Sequence, residues 1–420
     1  MARPQVRIGF VSTRFAGTDG VSLETAKWAE ALERLGHTCF YFSGECDRPD
    51  GVSYVVPEAH FEYPEIMALT LDLFDDRQRT PDTSALVQTL KVLLKDHLRR
   101  FISQFQVNLL IVENALALPM NVPLGMALAE LIAETNLPTI AHHHDFSWER
   151  ERFAMNAASD YLHAAFPPTL HSIHHVVINS FAARQLAMRN GVSSVLVPNV
   201  MDFDHPPPPA DAHTKRFREA MGVMPYEVLL LQPTRIVPRK RIEKAVEITR
   251  RLDRPAVLVI SHSAGDEGIA YENYLRELAL LLGARVIFAS EYVGHSRGEG
   301  KNGDAQFSLG DAYHEADLVT YPSVIEGFGN AFLETVYYRR PIMMASYDIF
   351  NVDIKPKGFR AITFGEFVDE ACLQQAREWL GNPALVAEIV ETNYQIAKRY
   401  YGYHVLEKHL ALLLNECLGA

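Results

Sequence analysis

The sequence lacks any apolar run long enough to cross a membrane, and it has only four cysteines in 420 residues. A membrane-spanning helix needs roughly 20 consecutive apolar residues, and the apolar run at 8–11 is too short for the core of a signal peptide. The cysteines are scattered without a C-x-x-C pair, so neither a disulfide framework nor a cysteine zinc site is indicated. We therefore expect a cytoplasmic protein with no transmembrane segment.

Positive charge is also in short supply. Lys and Arg number 40 against 52 Asp and Glu, which gives a net charge of −12, and residues 1–200 and 201–420 each carry −6. Proteins that bind nucleic acid rely on a basic surface to neutralise phosphates. The charge balance therefore argues against a nucleic-acid partner.

Short β-branched and aromatic runs alternate with longer segments of helical periodicity, which is typical of a parallel sheet covered by helices. This alternation occurs twice along the chain. The predicted strands are 6–12, 38–43, 108–113, 139–143, 175–179 and 195–198 in the first half, and 228–232, 256–260, 285–288, 318–321 and 342–345 in the second. We predict an α/β protein with two doubly wound, Rossmann-like domains that face each other across a cleft. Such sheets bind ligands at the carboxyl ends of their strands.

Four consecutive prolines, Pro206 to Pro209, mark the predicted domain boundary. Proline continues neither a helix nor a central strand, and a proline run favours an extended connector. We predict a first domain at 1–205, a linker at 206–212 and a second domain at 213–400. Residues 383–418 are predicted to form two helices separated near 400–402.

A glycine-bearing loop follows the first predicted strand and contains Gly17 and Gly20. Glycines allow the backbone to approach a ligand, and the N–H groups at a helix N-terminus attract phosphate. The spacing matches neither G-x-G-x-x-G nor the P-loop pattern. A simple turn is therefore an equal alternative.

Three histidines, His142, His143 and His144, end the strand predicted at 139–143, and alternation along a strand puts His142 and His144 on one face. A metal site, a set of core or rim histidines, and a substrate-facing histidine are all consistent with this run. His144 lies furthest toward the carboxyl end of the strand. It is therefore the best candidate for contact with a substrate.

A cluster of cations follows the strand predicted at 228–232: Arg235, Arg239, Lys240 and Arg241. The dipole of the following helix favours acids at this position, so these cations require either full solvation or an anion to bind. A loop at the carboxyl end of a strand is where an anionic ligand is expected.

The segment from Glu326 to Glu334 follows the strand predicted at 318–321 and leads into a helix that begins near Asn330. Backbone N–H groups at Phe328, Gly329 and Asn330 lie between the two glutamates. Carboxylates accept hydrogen bonds from hydroxyls, so a pair of them at a strand end favours a sugar or ribose ligand. The alternative is one acid near the helix N-terminus and one glutamate on the surface.

Together these motifs resemble the retaining, family-4-type glycosyltransferases of GT-B fold. Glu326 to Glu334 is similar to the E-x7-E motif of that family, and Arg235 with Lys240 is similar to its R-x-x-x-x-K pair. The glycine loop is similar to the N-terminal loop of the family. The three motifs occur in the order and spacing that the family shows, over nearly the whole chain.

The resemblance implies a role for each matching residue. Arg235 and Lys240 would bind the donor diphosphate, and Gly20 would approach it. The transferred sugar would be bound by Glu326, by the amides of Phe328, Gly329 and Asn330, and by His144. Glu334 would bind the ribose. The terminal helix, 403–418, would cross back onto the first domain. The usual double glycine of the first loop is Asp19-Gly20 in this sequence.

We predict a retaining transfer of a hexose from a nucleotide-diphosphate sugar, of GDP-mannose or UDP-glucose type, to a small acceptor. Arg150 and Arg152 would hold an anionic acceptor such as a glycerate-based solute or a sugar phosphate; alternatively they pair with Glu149 and Glu151. No cofactor is expected, and Mg²⁺ is not expected to be essential, because fixed cations can stabilise the leaving group. The other possible functions are a membrane-surface lipid or polysaccharide glycosyltransferase, a nucleotide-sugar epimerase or hydrolase, and a non-catalytic nucleotide-sugar-binding protein. The oligomeric state is not predicted.

Overall fold

The computed structural model describes residues 5–17, 19–264, 269–294, 296–299 and 305–419. The chain divides into two compact units. The first comprises residues 1–200 and 403–420, and the second comprises residues 201–402. Each unit is built around its own sheet.

The sheet of the first unit has seven strands, all parallel, in the order β3-β2-β1-β4-β5-β6-β7. The strands are β1 (Arg7–Val11), β2 (Thr38–Ser43), β3 (Ser53–Val55), β4 (Leu109–Glu113), β5 (Thr139–His143), β6 (Ile173–Val177) and β7 (Val195–Leu196). Every residue of β4 and β5 is buried, as expected for central strands covered on both faces.

Among the described residues of this unit, six α-helices connect these strands: α1 (Gly20–Arg34), α2 (Pro64–Phe74), α3 (Pro81–Phe105), α4 (Val122–Thr135), α5 (Ser159–Ala165) and α6 (Ser180–Asn190). Side-chain caps fix several of their starts. Asn121 accepts a hydrogen bond from the N–H of Leu124, and Asn179 accepts one from Ala182. Helices α1 and α3 bury apolar residues in two separate core clusters of this unit, with Trp28 in one and Phe101 in the other.

The main sheet of the second unit has six parallel strands in the order β10-β9-β8-β14-β15-β16. They are β8 (Val228–Gln232), β9 (Ala256–Ile260), β10 (Arg285–Phe288), β14 (Leu318–Tyr321), β15 (Ile342–Ala345) and β16 (Ile362–Phe364). A small additional sheet consists of β11 (Val293–Gly294), β12 (Gly298–Glu299) and β13 (Ala305–Ser308).

The helices of the second unit are α7 (Ala212–Lys215), α8 (Phe217–Ala220), α9 (Glu243–Arg251), α10 (Ala270–Leu282), α11 (Leu309–Glu315), α12 (Asn330–Tyr337), α13 (Glu370–Gly381) and α14 (Pro383–Tyr401). The last helix of the chain, α15 (Tyr403–Leu418), belongs to the first unit, where it packs against α1. No helix of the described residues is both long enough and apolar enough to span a membrane.

The predicted α/β architecture with two Rossmann-like domains is confirmed. The division between the units falls between Val200 and Met201, so the proline run lies inside the second unit rather than between the two. Within the segment predicted as a linker, Asp211 already caps α7 through a hydrogen bond from the N–H of Thr214 at 2.9 Å. The division between the two compact units therefore precedes the proline run and does not coincide with it.

Candidate active site

Two loops meet in the second unit: the cation loop, which carries Arg235 to Arg241, and the glutamate loop, which carries Glu326 to Gly329. Strands β8 and β14 are neighbours in the sheet, so the loops that leave their carboxyl ends lie side by side. Lys240 Nζ donates a hydrogen bond to Glu326 Oε1, and Arg239 Nη1 lies 4.0 Å from Glu326 Oε2. Two motifs that are far apart in the sequence thus form one charged cluster.

Burial sets the electrostatics of this cluster. Only 8 % of Lys240 is exposed, and this burial is the largest influence that lowers the pKa of its ammonium group. The charges of Arg239 and Arg235 lower this pKa further, whereas Glu326 raises it. Lys240 Nζ also lies 5.5 Å from the centre of the Tyr321 ring. Arg235 itself is exposed on the same loop. The loop therefore offers a buried cation, Lys240, and an exposed one, Arg235, together with the half-buried Arg239 and Arg241.

The backbone at the end of the loop that follows Glu326 has a conformation that favours glycine. Gly329 has φ of 111°, and the hydroxyl of Tyr347 donates to the carbonyl of Phe328 at 2.8 Å. The side chain of Phe328 is buried against Tyr401, with ring centres 5.3 Å apart. Any contact of Phe328 with a ligand is therefore expected from its backbone and not from its ring.

Glu334 lies one turn into α12, where the hydroxyl of Tyr313 donates to its Oε2 at 2.9 Å. Tyr313 is fully buried, and burial followed by the nearby Glu334 charge raises its pKa well above the usual range. Sequence reasoning missed Tyr313, because nothing in its helical segment distinguishes it from a core aromatic. Its hydroxyl orients the carboxylate that the sequence analysis assigned to a ribose.

His262 is a second residue that sequence reasoning missed. It follows β9, the strand beside β8, and its Nδ1 lies 2.8 Å from the hydroxyl of Ser261. Burial, followed by the charges of Arg235 and Lys240, lowers the pKa of His262. A polar pair directly after the buried run 256–260 was the available signal.

In the first unit, Glu113 joins the histidine run. His144 Nε2 is hydrogen-bonded to Glu113 Oε2 at 2.9 Å, and His142 Nδ1 lies at the same distance from that oxygen. The prediction that His142 and His144 share a face is confirmed. His143 points to the other side, where its Nε2 lies 2.9 Å from His175 Nδ1.

Glu113, His142 and His144 place one donor atom each within 4.8 Å of one another, and two imidazoles with a carboxylate are a donor set that suits transition metals. The charge of Glu113 is also balanced without an ion. Burial opposes ionisation of Glu113, but its close contact with His142 and its hydrogen bond with His144 lower its pKa to about 2. Burial would lower the pKa of His144, yet the hydrogen bond to Glu113 raises it.

The N-terminal loop differs from the expectation of free N–H groups. Asp19 caps α1, and its Oδ1 accepts hydrogen bonds from the N–H groups of Val21 and Ser22, each at 3.1 Å. Arg14 pairs with the same carboxylate at 3.3 Å. Gly20 is the exposed first residue of α1. A diphosphate contact with Gly20 therefore stays a prediction, at a helix end that already carries a carboxylate.

Of the two candidate acceptor-binding arginines, Arg150 lies between two short 3₁₀ turns that follow β5, and Arg152 lies in the second of them. Arg150 Nη2 donates to Asp145 Oδ2 at 2.7 Å. The guanidinium of Arg152 lies 4.7 Å from the centre of the Phe153 ring. Glu149 accepts a hydrogen bond from the N–H of Phe146 at 2.8 Å. Arg150 is thus held by an aspartate that the sequence analysis did not consider.

No protein-family model matches the chain. The mannosylglucosylglycerate synthase of Thermotoga maritima is 31% identical over 446 residues, which cover 97% of this chain and 99% of the relative. The mannosylglucosylglycerate synthase of Petrotoga mobilis is 29% identical, over 86% of this chain and 87% of the relative.

Among solved structures, a glycosyltransferase from Rickettsia africae superposes with a TM-score of 0.68 at 14% identity, covering 99% of both chains. That similarity concerns the fold, which is the GT-B arrangement of two Rossmann-like domains predicted from the motifs. The chain therefore belongs to the glycosyltransferase family that includes the Thermotoga maritima mannosylglucosylglycerate synthase.

Proposed function

We propose that the chain is a retaining hexosyltransferase that transfers a mannose-type sugar from a nucleotide-diphosphate donor to a glucosylglycerate-class acceptor. The observation that carries this proposal is the meeting of Lys240 and Glu326 at the ends of neighbouring strands, in a member of this family. The ammonium group of Lys240 suits a phosphate, and the carboxylate of Glu326 suits sugar hydroxyls.

The second unit would bind the donor. Arg235 and Lys240 would bind the diphosphate, and Glu334, oriented by Tyr313, would accept hydrogen bonds from the ribose. The amides of Gly329 and Asn330 would add donors beside Glu326. A buried cation is effective here because a charge interaction is stronger where water is excluded.

The reaction would break the bond between the anomeric carbon and the diphosphate oxygen. The acceptor hydroxyl oxygen would bond to the same carbon from the same face, and its proton would pass to the departing diphosphate. Lys240 and Arg235 would neutralise the charge that develops on this leaving group. Since these side chains already supply positive charge, we propose that transfer proceeds without Mg²⁺.

The acceptor would carry a carboxylate. The names of both relatives describe a glycoside of glycerate, and Arg150 and Arg152 follow the strand that ends in His143. We propose that these two arginines recognise the glycerate carboxylate. His144 would contact the transferred sugar.

The test is a matrix of nucleotide sugars and acceptors analysed by mass spectrometry. UDP-, GDP- and ADP-hexoses are each incubated with glucosylglycerate, glycerate, 3-phosphoglycerate, a lipid acceptor in vesicles, or no acceptor. We expect one added hexose on glucosylglycerate with GDP-mannose, with and without EDTA. Free sugar or an isomeric nucleotide sugar formed without acceptor would indicate a hydrolase or epimerase, and binding without turnover would indicate a non-catalytic protein.

A further inference from the structure

Glu113 is a carboxylate with no exposed surface at the carboxyl end of β4. Its Oε2 is hydrogen-bonded to His144 Nε2 at 2.9 Å. His142 Nδ1 is equally close to that oxygen but does not make a hydrogen bond with good geometry. Of these two histidines, His144 is therefore the one hydrogen-bonded to Glu113.

The next residue, Asn114, holds the backbone of the same histidine. Its Oδ1 accepts hydrogen bonds from the N–H of His144 at 3.0 Å and from that of Asp145 at 3.3 Å. Its own N–H donates to the carbonyl of His142 at 2.9 Å. Asn114 adopts φ of 61°, a left-handed conformation that asparagine tolerates better than most residues.

We propose that Glu113 and Asn114 are the positioning residues of His144: one fixes the orientation of its ring and the other fixes its backbone. The inference rests on the proposed function, in which His144 contacts the transferred sugar. Neither positioning residue need touch a substrate. Partners of this kind, which orient a functional histidine through its second nitrogen, are a common way of fixing its tautomer and raising its basicity.

The charges around His144 come from several elements. Glu113 lies on β4, Glu24 on α1, and Asp145 follows in the chain; all three favour the protonated ring. His142 is stacked on Trp28, with ring centres 4.1 Å apart.

Burial lowers the pKa of His142 and lowers that of His143 further. Burial also acts to lower the pKa of His144, but the hydrogen bond to Glu113 raises it. Of the three histidines, His144 is therefore the one whose contact with Glu113 favours the protonated ring. A protonated ring bound to Glu113 through Nε2 has Nδ1–H as a second donor for a sugar or phosphate oxygen.

The test compares wild type with Glu113→Gln, which keeps an oxygen acceptor but removes the charge. The His144 titration is followed by NMR of ¹⁵N-labelled histidine, and a His144→Asn variant assigns its signals. We expect Glu113→Gln to lower the His144 pKa and to reduce kcat by roughly 10- to 100-fold with little change in donor KM. Glu24→Gln is the matched control, because Glu24 is equally buried but is bonded to Lys27 and the N–H of Val200. It should lower the His144 pKa much less.

Asn114→Gly provides a second route if Glu113→Gln does not fold. It permits the positive φ and removes the amide oxygen, so we expect a lower kcat with the His144 pKa still raised. An unchanged His144 pKa in Glu113→Gln would overturn the proposal. The proposal would also be overturned if mass spectrometry of the purified protein found one equivalent of bound zinc or manganese whose binding requires Glu113. The titration requires no turnover, so it tests the positioning role even if the proposed transfer reaction fails.

Discussion

Lys240 and Glu326 are bonded to each other although 86 positions separate them in the sequence. Both side chains are almost fully buried, with 10% and 11% exposed. The cation assigned to the diphosphate and the carboxylate assigned to the sugar thus satisfy one another. A donor that binds both must replace this contact with phosphate and hydroxyl contacts.

Breaking this pair should affect stability and turnover differently. We expect Lys240→Met and Glu326→Gln each to reduce kcat by roughly 100- to 1000-fold. Lys240→Met should also lower the free energy of unfolding by roughly 3 kcal/mol, because it leaves a buried carboxylate without its partner. The double variant should recover much of that stability and none of the activity.

Urea unfolding and initial rates measure both effects. Lys244→Met is the matched control, because Lys244 pairs with Glu247 in a more exposed setting on α9. It should leave both quantities nearly unchanged. Additive stability losses in the double variant would show that the Lys240–Glu326 contact contributes little.

Gly329 should tolerate no side chain. A Cβ added there would lie 2.2 Å from the Tyr347 hydroxyl, at a φ that L residues rarely adopt. We expect Gly329→Ala to cost at least about 2 kcal/mol of unfolding free energy and to raise donor KM. Adding Tyr347→Phe should restore part of the loss by removing the contacting oxygen. Gly381→Ala, where nothing lies within 4 Å, should be close to neutral; a similar loss there would contradict the explanation.

Arg152 should distinguish charged from neutral acceptors. We expect Arg152→Ala to raise KM for glucosylglycerate by about tenfold and to leave KM for the neutral analogue glucosylglycerol unchanged, since only the former has a carboxylate. Steady-state kinetics with both acceptors measures this difference. Arg99→Ala, at a half-exposed arginine on α3, is the control. An unchanged KM for glucosylglycerate in Arg152→Ala would remove the anionic-acceptor role of this residue.

The His143–His175 pair should make the protein less stable in mild acid. Burial lowers the pKa of His143 well below its usual value and that of His175 to about 4. The unfolded chain binds protons near pH 6.5, so the free energy of unfolding should fall from pH 6.5 toward pH 4, by about 1.4 kcal/mol per pH unit for each histidine.

Two neighbouring groups do not obscure this window. The raised pKa of His144 gives stability that is complete below pH 6.5 and is lost as pH rises through its folded pKa, and the lowered pKa of Glu113 matters only below about pH 4.5. Urea unfolding at pH 4.5–7 should show a flatter profile for His175→Gln than for wild type. Equal slopes in His175→Gln and wild type would contradict the assignment.

Much of the fold follows from the sequence. The bounds predicted for β2, β5 and for β8, β9, β10, β14 and β15 match the structure, because each is a compact and mostly apolar run; all of them except the edge strand β10 are largely buried. The short edge strands β3 and β16 were not predicted, since three residues carry too little periodicity. β6 begins and ends two residues earlier than predicted, and Asn179, which was predicted as its last residue, is instead the cap of α6.

The site was predictable in part for the same reason. Lys240 and Glu326 each follow a strand that the sequence marks clearly, so both could be named, but their contact depends on β8 and β14 being neighbours. Glu113 escaped notice because an acid at the end of a buried run is informative only when the adjacent strand is known to end in histidines. The missing information was the order of the strands in each sheet, because the pattern of a single sequence does not contain it.

The anomeric configuration of the product tests the proposed retaining transfer to a glycerate glycoside. Wild-type protein is incubated with GDP-mannose, in which mannose is α-linked, and glucosylglycerate, and the new linkage is identified by NMR. We expect an α-linked mannosyl group on the acceptor, with product formation lost in Lys240→Met. A β-linked product, or release of free mannose without transfer, would contradict it.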